Sequence, residues 1–163
     1  MIRPAEPADV PAILRLIHEL ADYEREPDAV RSSTADLAAN LFPAGRDPLV
    51  GCLVAAVAGQ VVGMAIWYVT YSTWEGRHGL YLEDLYVQPA HRGAGLGKAL
   101  MSELAAEAVR RGYPRLDWSV LDWNTSARAF YTAIGGQPRS DWLPYRISEE
   151  ALRRLAGADA AQD

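Results

Sequence analysis

Residues 81–100, "YLEDLYVQPAHRGAGLGKAL", join an apolar strand to a helix through a glycine-rich loop. The strand ends at Val87, and the loop carries Gly93, Gly95 and Gly97. Glycines let successive backbone N–H groups converge on an anion, and the start of the following helix directs its own N–H groups toward the same place. The stretch therefore predicts a phosphate-binding loop. A tight strand-to-helix turn without a ligand is the alternative.

The spacing of the glycines distinguishes three kinds of phosphate loop. A Walker loop needs four residues before its Gly-Lys-Ser/Thr, whereas three residues separate Gly93 from Gly97 and Ala99 follows Lys98. A dinucleotide-binding loop has the pattern Gly-x-Gly-x-x-Gly, and here the third glycine comes one residue early. The pattern Arg/Gln-x-x-Gly-x-Gly/Ala is satisfied by residues 92–97, and Arg92 and Lys98 add positive charge.

The residues on either side of this loop predict an α/β (α+β) domain whose first half is mostly antiparallel. Strands are predicted at 1–5, 51–57, 61–71, 79–87, 115–121 and 142–147, and helices at 7–24, 33–42, 96–112, 124–136 and 148–156. Residues 80–121 form a β-α-β unit, so its two strands should be parallel with a right-handed crossover. We expect a single domain over 1–156 and a frayed tail over 157–163.

Composition narrows the class of protein. The 163 residues carry a net charge of −5, which argues against nucleic acid as a partner. The N-terminus shows no signal peptide, and the longest apolar run, 61–69, is too short to cross a membrane, so we expect a cytoplasmic protein. Cys52, the single cysteine, reads as a buried core residue. Three scattered histidines without clustered carboxylates predict no metal site.

Four phrases give the chain a family resemblance. They are "ILRLIHELADYE" (13–24), "YVTYSTWEGRHGLYLEDLYV" (68–87), "RGAGLGKAL" (92–100) and "DWNTSARAFY" (122–131). The sequence resembles the GNAT acetyltransferases over nearly its whole length, and within them the diamine (spermidine/spermine) and thialysine acetyltransferases. The resemblance implies the GNAT fold, with helices flanking a central sheet that contains a splayed pair of parallel strands.

The resemblance also implies the binding site for acetyl-coenzyme A. Backbone groups of Leu85, Tyr86 and Val87 would contact the pantetheine arm, which fills the gap between the parallel strands as an added strand would. The pyrophosphate would bind to the loop, that is, to Arg92, Gly93, Ala94, Gly95, Leu96, Gly97 and Lys98. The coenzyme would be flanked on its other side by Asn124, Thr125, Ser126, Ala127 and Tyr131.

Two residues are candidates for proton transfer. Glu83 alternates with Tyr81 and Leu85 on the strand, so all three should share a face, and the resemblance makes Glu83 the base that receives the amine proton directly or through water. Tyr131 is the candidate acid for the thiolate, since a phenol has a pKa of about 10. From the pattern alone, an exposed strand charge and a core tyrosine are the respective alternatives.

The amine pocket is predicted from three segments. "DYEREPD" (22–28) places acidic groups beside an aromatic ring, which suits a cation. Within that segment the resemblance assigns substrate contacts to Tyr23 and Glu24. Elsewhere it assigns them to Glu83, Asp117, Trp118 and Ser119. Trp74 would form a wall of the amine pocket. A solvated helix end is the alternative for the first segment.

One segment departs from the resembled group. Residues 135–146, "GGQPRSDWLPYR", hold Arg139 and Asp141, where the group is richer in acid and grips the substrate from a partner chain. A thialysine-like amino acid is therefore at least as good a candidate substrate as a polyamine. The resemblance implies a homodimer and direct acetyl transfer in a ternary complex. Acetylation of proteins or aminoglycosides, and a non-catalytic acyl-CoA sensor, stay open as alternatives.

Overall fold

A five-stranded mixed sheet organises residues 1–123 of the computed structural model, which describes residues 1–158. The strands are β1 (Ile2–Pro4), β2 (Val50–Val57), β3 (Gln60–Ser72), β4 (Arg77–Val87) and β5 (Leu116–Trp118). They lie side by side in chain order. The first three pairings are antiparallel and the β4–β5 pairing is parallel, which confirms the predicted mixed sheet.

Helices within residues 1–123 pack on both faces of this sheet, and two further helices belong to the residues from Asn124 onward. The helices are α1 (Val10–Tyr23), α2 (Thr34–Leu41), α3 (Leu96–Arg110), α4 (Thr125–Ala133) and α5 (Glu149–Leu155). On one face, Ile13 and Leu16 of α1 pack into a core with Met64 and Ile66 of β3. On the other face, Arg111 at the end of α3 stacks over the ring of Trp67, 4.9 Å from its centroid. We call these the α1 face and the α3 face.

The chain forms two compact units, Met1–Trp123 and a smaller one from Asn124 onward that contains α4 and α5. The single domain predicted over 1–156 stays a prediction. Of the predicted tail, Gly157 and Ala158 form a turn after α5, and 159–163 lie outside the described residues. None of the helices within 1–158 combines the length and the apolar character needed to span a bilayer.

Local sequence signals set most of these boundaries. Ser33 caps α2 and forms a capping box with Asp36. Ala58 and Gly59, both with positive φ, make the tight turn of the β2–β3 hairpin. Asp9 occupies the N-cap position of α1, but its carboxylate accepts hydrogen bonds from Arg3 (2.6 and 2.9 Å) and from the N–H of Glu6 instead of capping the helix. It therefore ties α1 to β1.

The strand predicted at 142–147 is wrong. These residues form neither helix nor strand, and the side chains of Trp142, Leu143 and Tyr145 are largely exposed. Pro144 stands in the middle of the segment, where it removes a backbone donor that an interior strand would need. The alternation of apolar residues was therefore not sufficient evidence for a strand.

Candidate active site

The predicted phosphate loop connects β4 to α3. A turn of 3-10 helix at Pro89–His91 precedes it, and Gly93 and Gly95 then take φ angles of 78° and 79°. A side chain is rarely accommodated at these angles, so the path of the loop depends on glycine at both positions. Gly95 is the N-cap of α3, and the first N–H groups of a helix have no partner within it. The loop therefore has the geometry of an anion site at a helix N-terminus.

The sheet opens on the N-terminal side of this loop. β5 pairs with β4 through three register pairs, the last of which is Leu82 with Trp118. Beside that pair, Tyr81 Oη and Ser119 Oγ share a hydrogen bond of 2.6 Å. β4 continues to Val87 without β5 beside it, so the stretch Leu85–Val87 lies past the end of the parallel ladder. This is the position at which an extended ligand would add as a strand.

Glu83 is the extra residue of a β-bulge. Ile66 of β3 is opposite Asp84 and the next residue, Trp67, is opposite Leu82, so nothing on β3 faces Glu83. The prediction that Tyr81, Glu83 and Leu85 share one face is therefore wrong, because a bulge shifts the alternation by one residue. Tyr81 lies opposite Tyr68 and Leu85 opposite Ala65, and residues 65 and 68 of β3 point to opposite faces.

An acidic and aromatic cluster forms on the α1 face around this bulge. Asp84 lies opposite Ile66, whose side chain belongs to the α1 core, so its carboxylate is directed into that face. Burial, followed by the charges of Glu83 and Glu24, raises the pKa of Asp84 to about 6. Burial also raises the pKa of Glu24. Burial and the nearby charge of Glu83 raise the pKa of Tyr68, whose ring centroid is 5.1 Å from that of Tyr81. A cation entering this cluster would relieve the repulsion among its carboxylates.

A stack of cations and aromatic rings joins the end of α1 to the phosphate loop. Its members are Arg25, Trp123, Tyr23, Arg92 and Tyr86. The Cζ atom of Arg25 lies 4.7 Å from the Trp123 ring centroid, and the Trp123 and Tyr23 centroids are 5.9 Å apart. The Cζ atom of Arg92 lies 5.1 Å from the Tyr23 centroid and 5.5 Å from the Tyr86 centroid. The stack brings together three segments that are far apart in the sequence.

The remaining predicted substrate residues divide into two places. Asp117 and Trp118 lie on β5 beside Tyr81 and Leu82, and Asp117 forms an ion pair with Arg115 (3.0 Å). Trp74 is 89% exposed in the turn before β4. From Arg77 to Glu83 the strand extends for roughly 20 Å, and the role of Trp74 as a pocket wall stays a prediction.

A family comparison decides what kind of site this is. The model of the acetyltransferase (GNAT) family matches residues 13–135, which is most of the chain. The chain belongs to the GNAT family. Thialysine N-epsilon-acetyltransferase of Bos taurus is 42% identical over 96% of this chain and 97% of its own length. Spermidine/spermine N(1)-acetyltransferase-like protein 1 of Homo sapiens is 38% identical over 95% of this chain, which corresponds to 23% of that protein.

A solved structure agrees with this GNAT assignment. An integron cassette protein from V. cholerae superposes with a TM-score of 0.78 at 27% identity, over 96% of both chains. Together with the family match and the named relatives, this makes the chain an N-acetyltransferase. The predicted resemblance to the diamine and thialysine acetyltransferases is confirmed.

In this acetyltransferase, α4 carries the predicted residues of the second unit. Asn124 caps the helix, since its Oδ1 accepts a hydrogen bond from the N–H of Ala127 at 3.1 Å. Thr125 and Ser126 make up the rest of the first turn. Tyr131 is partly buried, and its ring centroid lies 5.2 Å from that of Phe130. The capped first turn again presents helix N–H groups, which suits the predicted role of these residues beside an anionic coenzyme.

Sequence reasoning missed two features of the GNAT site. Asp84 was overlooked because strict alternation would direct it away from Glu83, whereas the bulge brings the two charges together. The second is a contact of Arg92, whose Nε donates to the carbonyl of Val87 at 2.8 Å; its assignment to the pyrophosphate stays a prediction. The adjacent pair "ED" within an apolar strand was a usable signal for the first feature. Within residues 1–158, no group of three or more His, Cys, Asp or Glu side chains is arranged to hold a metal ion.

Proposed function

We propose that the protein transfers the acetyl group of acetyl-coenzyme A to a primary amine of a small molecule, either a diamine or polyamine or a thialysine-like amino acid. The observation that supports this most directly is the acidic cluster on the α1 face. It lies on the same strand that leads into the phosphate loop, so a site for a cation adjoins a site for an anionic coenzyme. An acetyltransferase that acts on amines needs this arrangement.

The coenzyme would lie along β4 and the loop. Leu85, Tyr86 and Val87 supply strand backbone past the end of the parallel ladder, which suits the amides of pantetheine. Residues 93–98 supply the loop and the N-terminus of α3 for the pyrophosphate, with Lys98 exposed beside them. In the second unit, the first turn of α4 and Tyr131 would act on the same coenzyme.

The reaction would proceed by direct transfer. The amine reaches the site as an ammonium ion and loses a proton to Glu83, directly or through a water molecule. Its lone pair then attacks the thioester carbonyl carbon, so that a C–N bond forms, the C–S bond breaks and the sulfur departs with the electron pair. Tyr131 protonates that thiolate, and the second proton, which the nitrogen loses as the amide forms, restores the Tyr131 phenol. The products are an N-acetyl amine and free coenzyme A, and no acyl-enzyme is needed.

Cys52 takes no part in this scheme. Its side chain is buried, and burial raises the pKa of the thiol to about 12, so it is not a thiolate at neutral pH. This agrees with the prediction that Cys52 is a core residue and supports direct transfer over an acyl-cysteine intermediate.

The amine would be recognised by Glu24, Glu83 and Asp84. Three carboxylates suit a substrate that carries more than one positive charge or a charged α-amino group. The names of the relatives refer to thialysine and to spermidine or spermine, which supports both classes. The low acidity of residues 135–146 favours the amino-acid class over the longer polyamines.

A cytoplasmic homodimer is part of the same proposal. Support comes from the segment 141–147, where Trp142, Leu143, Tyr145 and Ile147 expose large apolar surfaces in the single chain. Analytical ultracentrifugation of the full chain is expected to show a dimer. A monomer at micromolar concentration would contradict this part without affecting the chemistry.

The test of the proposed function is an amine panel assayed with acetyl-coenzyme A by release of free thiol. The panel contains putrescine, spermidine, spermine, lysine, thialysine, an aminoglycoside and a peptide amine. We expect turnover with a small amine and loss of most of it in Tyr131→Phe. A preference for the peptide would overturn the small-amine proposal, and coenzyme binding without thiol release would favour an acyl-CoA sensor.

A further inference from the structure

Arg92 belongs by sequence to the phosphate loop, and its side chain contacts the end of β4 and two aromatic rings. The Nε–H donates to the carbonyl of Val87 at 2.8 Å. The guanidinium also lies between two aromatic rings, with Cζ at 5.1 Å from the Tyr23 centroid and 5.5 Å from the Tyr86 centroid. A planar guanidinium is suited to this arrangement, because it can stack on rings while it donates in its own plane.

This arrangement connects the loop to the end of α1. Tyr23 is the last residue of α1 and Glu24, which belongs to the acidic cluster, is its C-cap, so contacts of the Tyr23 ring hold the backbone directly before Glu24. Tyr23 packs against Trp123, on which Arg25 stacks. Arg92 is thus the member of the stack that joins the α1 end to β4.

The end of α1 requires such support. The helix ends in a Schellman motif, in which the N–H of Glu26 donates to the carbonyl of Ala21 and the N–H of Arg25 to that of Asp22. Arg25 takes the left-handed position of the motif with φ of 67°, where glycine is usual. A conformation of this kind persists where surrounding contacts hold it, and the contact with Trp123 is one of them.

We infer that Arg92 is a positioning residue that aligns the amine side of the site with the Val87 carbonyl, and that it is not a ligand of the coenzyme pyrophosphate. The inference rests on the proposed acetyl transfer. It assigns the charge of the phosphate site to Lys98 and the N-terminus of α3, and it predicts that losing Arg92 impairs the enzyme equally whether or not the acyl donor contains phosphate.

The experiment compares two acyl donors, acetyl-coenzyme A and S-acetylpantetheine, which lacks every phosphate. The variants are Arg92→Met, Arg92→Lys and, as the matched control, Lys98→Met. We expect Arg92→Met to lower kcat/KM for the amine by about ten-fold with both donors, so that the ratio between donors stays within about two-fold of wild type. Lys98→Met should lower the rate with acetyl-coenzyme A alone.

The lysine variant separates charge from shape. Arg92→Lys keeps the positive charge but loses the planar group and the Nε donor, so we expect it to behave like Arg92→Met. The inference is overturned if the loss in Arg92→Met is confined to acetyl-coenzyme A, if Arg92→Lys restores the rate, or if neither variant has an effect.

A second pair of variants guards against simple misfolding. Tyr23→Leu removes one of the two rings that Arg92 contacts, so it should match Arg92→Met. The double variant Tyr23→Leu/Arg92→Met should be no worse than either single variant, because both remove the same contact. The inference is contradicted if the losses of activity in the two single variants add up in the double variant. It is also contradicted if a fall in the thermal midpoint of Arg92→Met accounts for its whole loss of activity.

The two proposals can fail separately. If no amine is acetylated with either donor, the proposed function fails. The role of Arg92 is then decided by calorimetry, from the ratio between the dissociation constants of pantetheine and coenzyme A. If Arg92→Met leaves this ratio as it is in wild type, the positioning role is supported. If Arg92→Met lowers the ratio as Lys98→Met does, the positioning role is overturned.

Discussion

The two sides of β4 differ in how far they are paired. On the β3 side the antiparallel ladder runs from Arg77 to Val87, interrupted by the bulge at Glu83. On the β5 side the parallel ladder ends at Leu82. A ladder stabilises a sheet by using its backbone groups, whereas a ligand that adds as a strand needs those groups to be available. One strand therefore serves stability along one edge and binding along the other.

The largest expected effect tests the paired side. Leu80 is fully buried, so Leu80→Ala should lower the free energy of unfolding by about 3 kcal/mol. Its register partner Leu116, on the short strand β5, is partly buried, and Leu116→Ala should cost about 1 kcal/mol. Urea unfolding of both variants measures the difference. Equal losses would show that the two sides of β4 contribute alike.

The next effect should appear in activity alone. Glu83→Gln removes the proposed base from an exposed bulge position, so kcat should fall by about a hundred-fold. The free energy of unfolding should change by less than about 0.5 kcal/mol, because an exposed substitution usually has little effect on stability. Steady-state kinetics beside urea unfolding tests both statements. A rate close to wild type would remove Glu83 from the mechanism.

Asp84 should show opposite effects on stability and activity. Its pKa in the folded protein is raised to about 6, so the folded state binds its proton more tightly than the unfolded state. The free energy of unfolding should therefore fall as pH rises through about 4 to 6 and remain lowered above that. Asp84→Asn removes the ionisation, so we expect about 2 kcal/mol more stability at pH 8 and little change at pH 4.

Activity gives the other half of that prediction. A bound ammonium ion stabilises the Asp84 carboxylate, so Asp84→Asn should raise KM for the amine while leaving binding of coenzyme A unchanged. Thermal unfolding at the two pH values and amine titrations measure this. The gain in stability of Asp84→Asn over wild type should be larger at pH 8 than at pH 4. A smaller gain at pH 8 would contradict the proposed charge repulsion.

The smallest expected effect concerns the point where the parallel ladder ends. Tyr81→Phe and Ser119→Ala each remove one partner of the 2.6 Å hydrogen bond, and each should cost about 1 kcal/mol or less. The double variant should cost no more than the larger single one, because both remove the same bond. Unfolding of all three variants tests this. Additive costs would mean that the hydrogen bond does not hold β5 at this position.

Sequence patterns were sufficient where local chemistry determines structure. The glycine loop, the Ser33 capping box, the turn at Ala58-Gly59 and the cap at Asn124 each lie within a few residues of their partners. The strand and helix ranges and the glycine loop predicted the fold, and the four quoted phrases indicated the family. The strand predicted at 142–147 failed because a strand also needs a neighbour, and alternation does not report whether one exists.

The site was harder to predict because its contacts are non-local. The bulge at Glu83 depends on how β4 pairs with β3, and within "YLEDLYV" its local signal was the adjacent charged pair "ED". The stack that holds Arg92 joins residues 23, 25, 86, 92 and 123, which are separated by up to a hundred positions in the chain. Residue types in a motif indicate which ligand is bound, and tertiary contacts decide what each side chain does.

The bulge at Glu83 also sets the phase of β4. Before it, odd-numbered residues such as Tyr81 point to the α1 face, and after it the even-numbered Asp84 and Tyr86 do so. Replacing Glu83 changes one carboxylate and keeps this phase. Deleting it would leave Leu82 next to Asp84 in strict alternation, so both halves of the strand would keep their present faces and only the bulge would disappear. The extra residue therefore adds a carboxylate beside Asp84 while the apolar positions on either side stay in register.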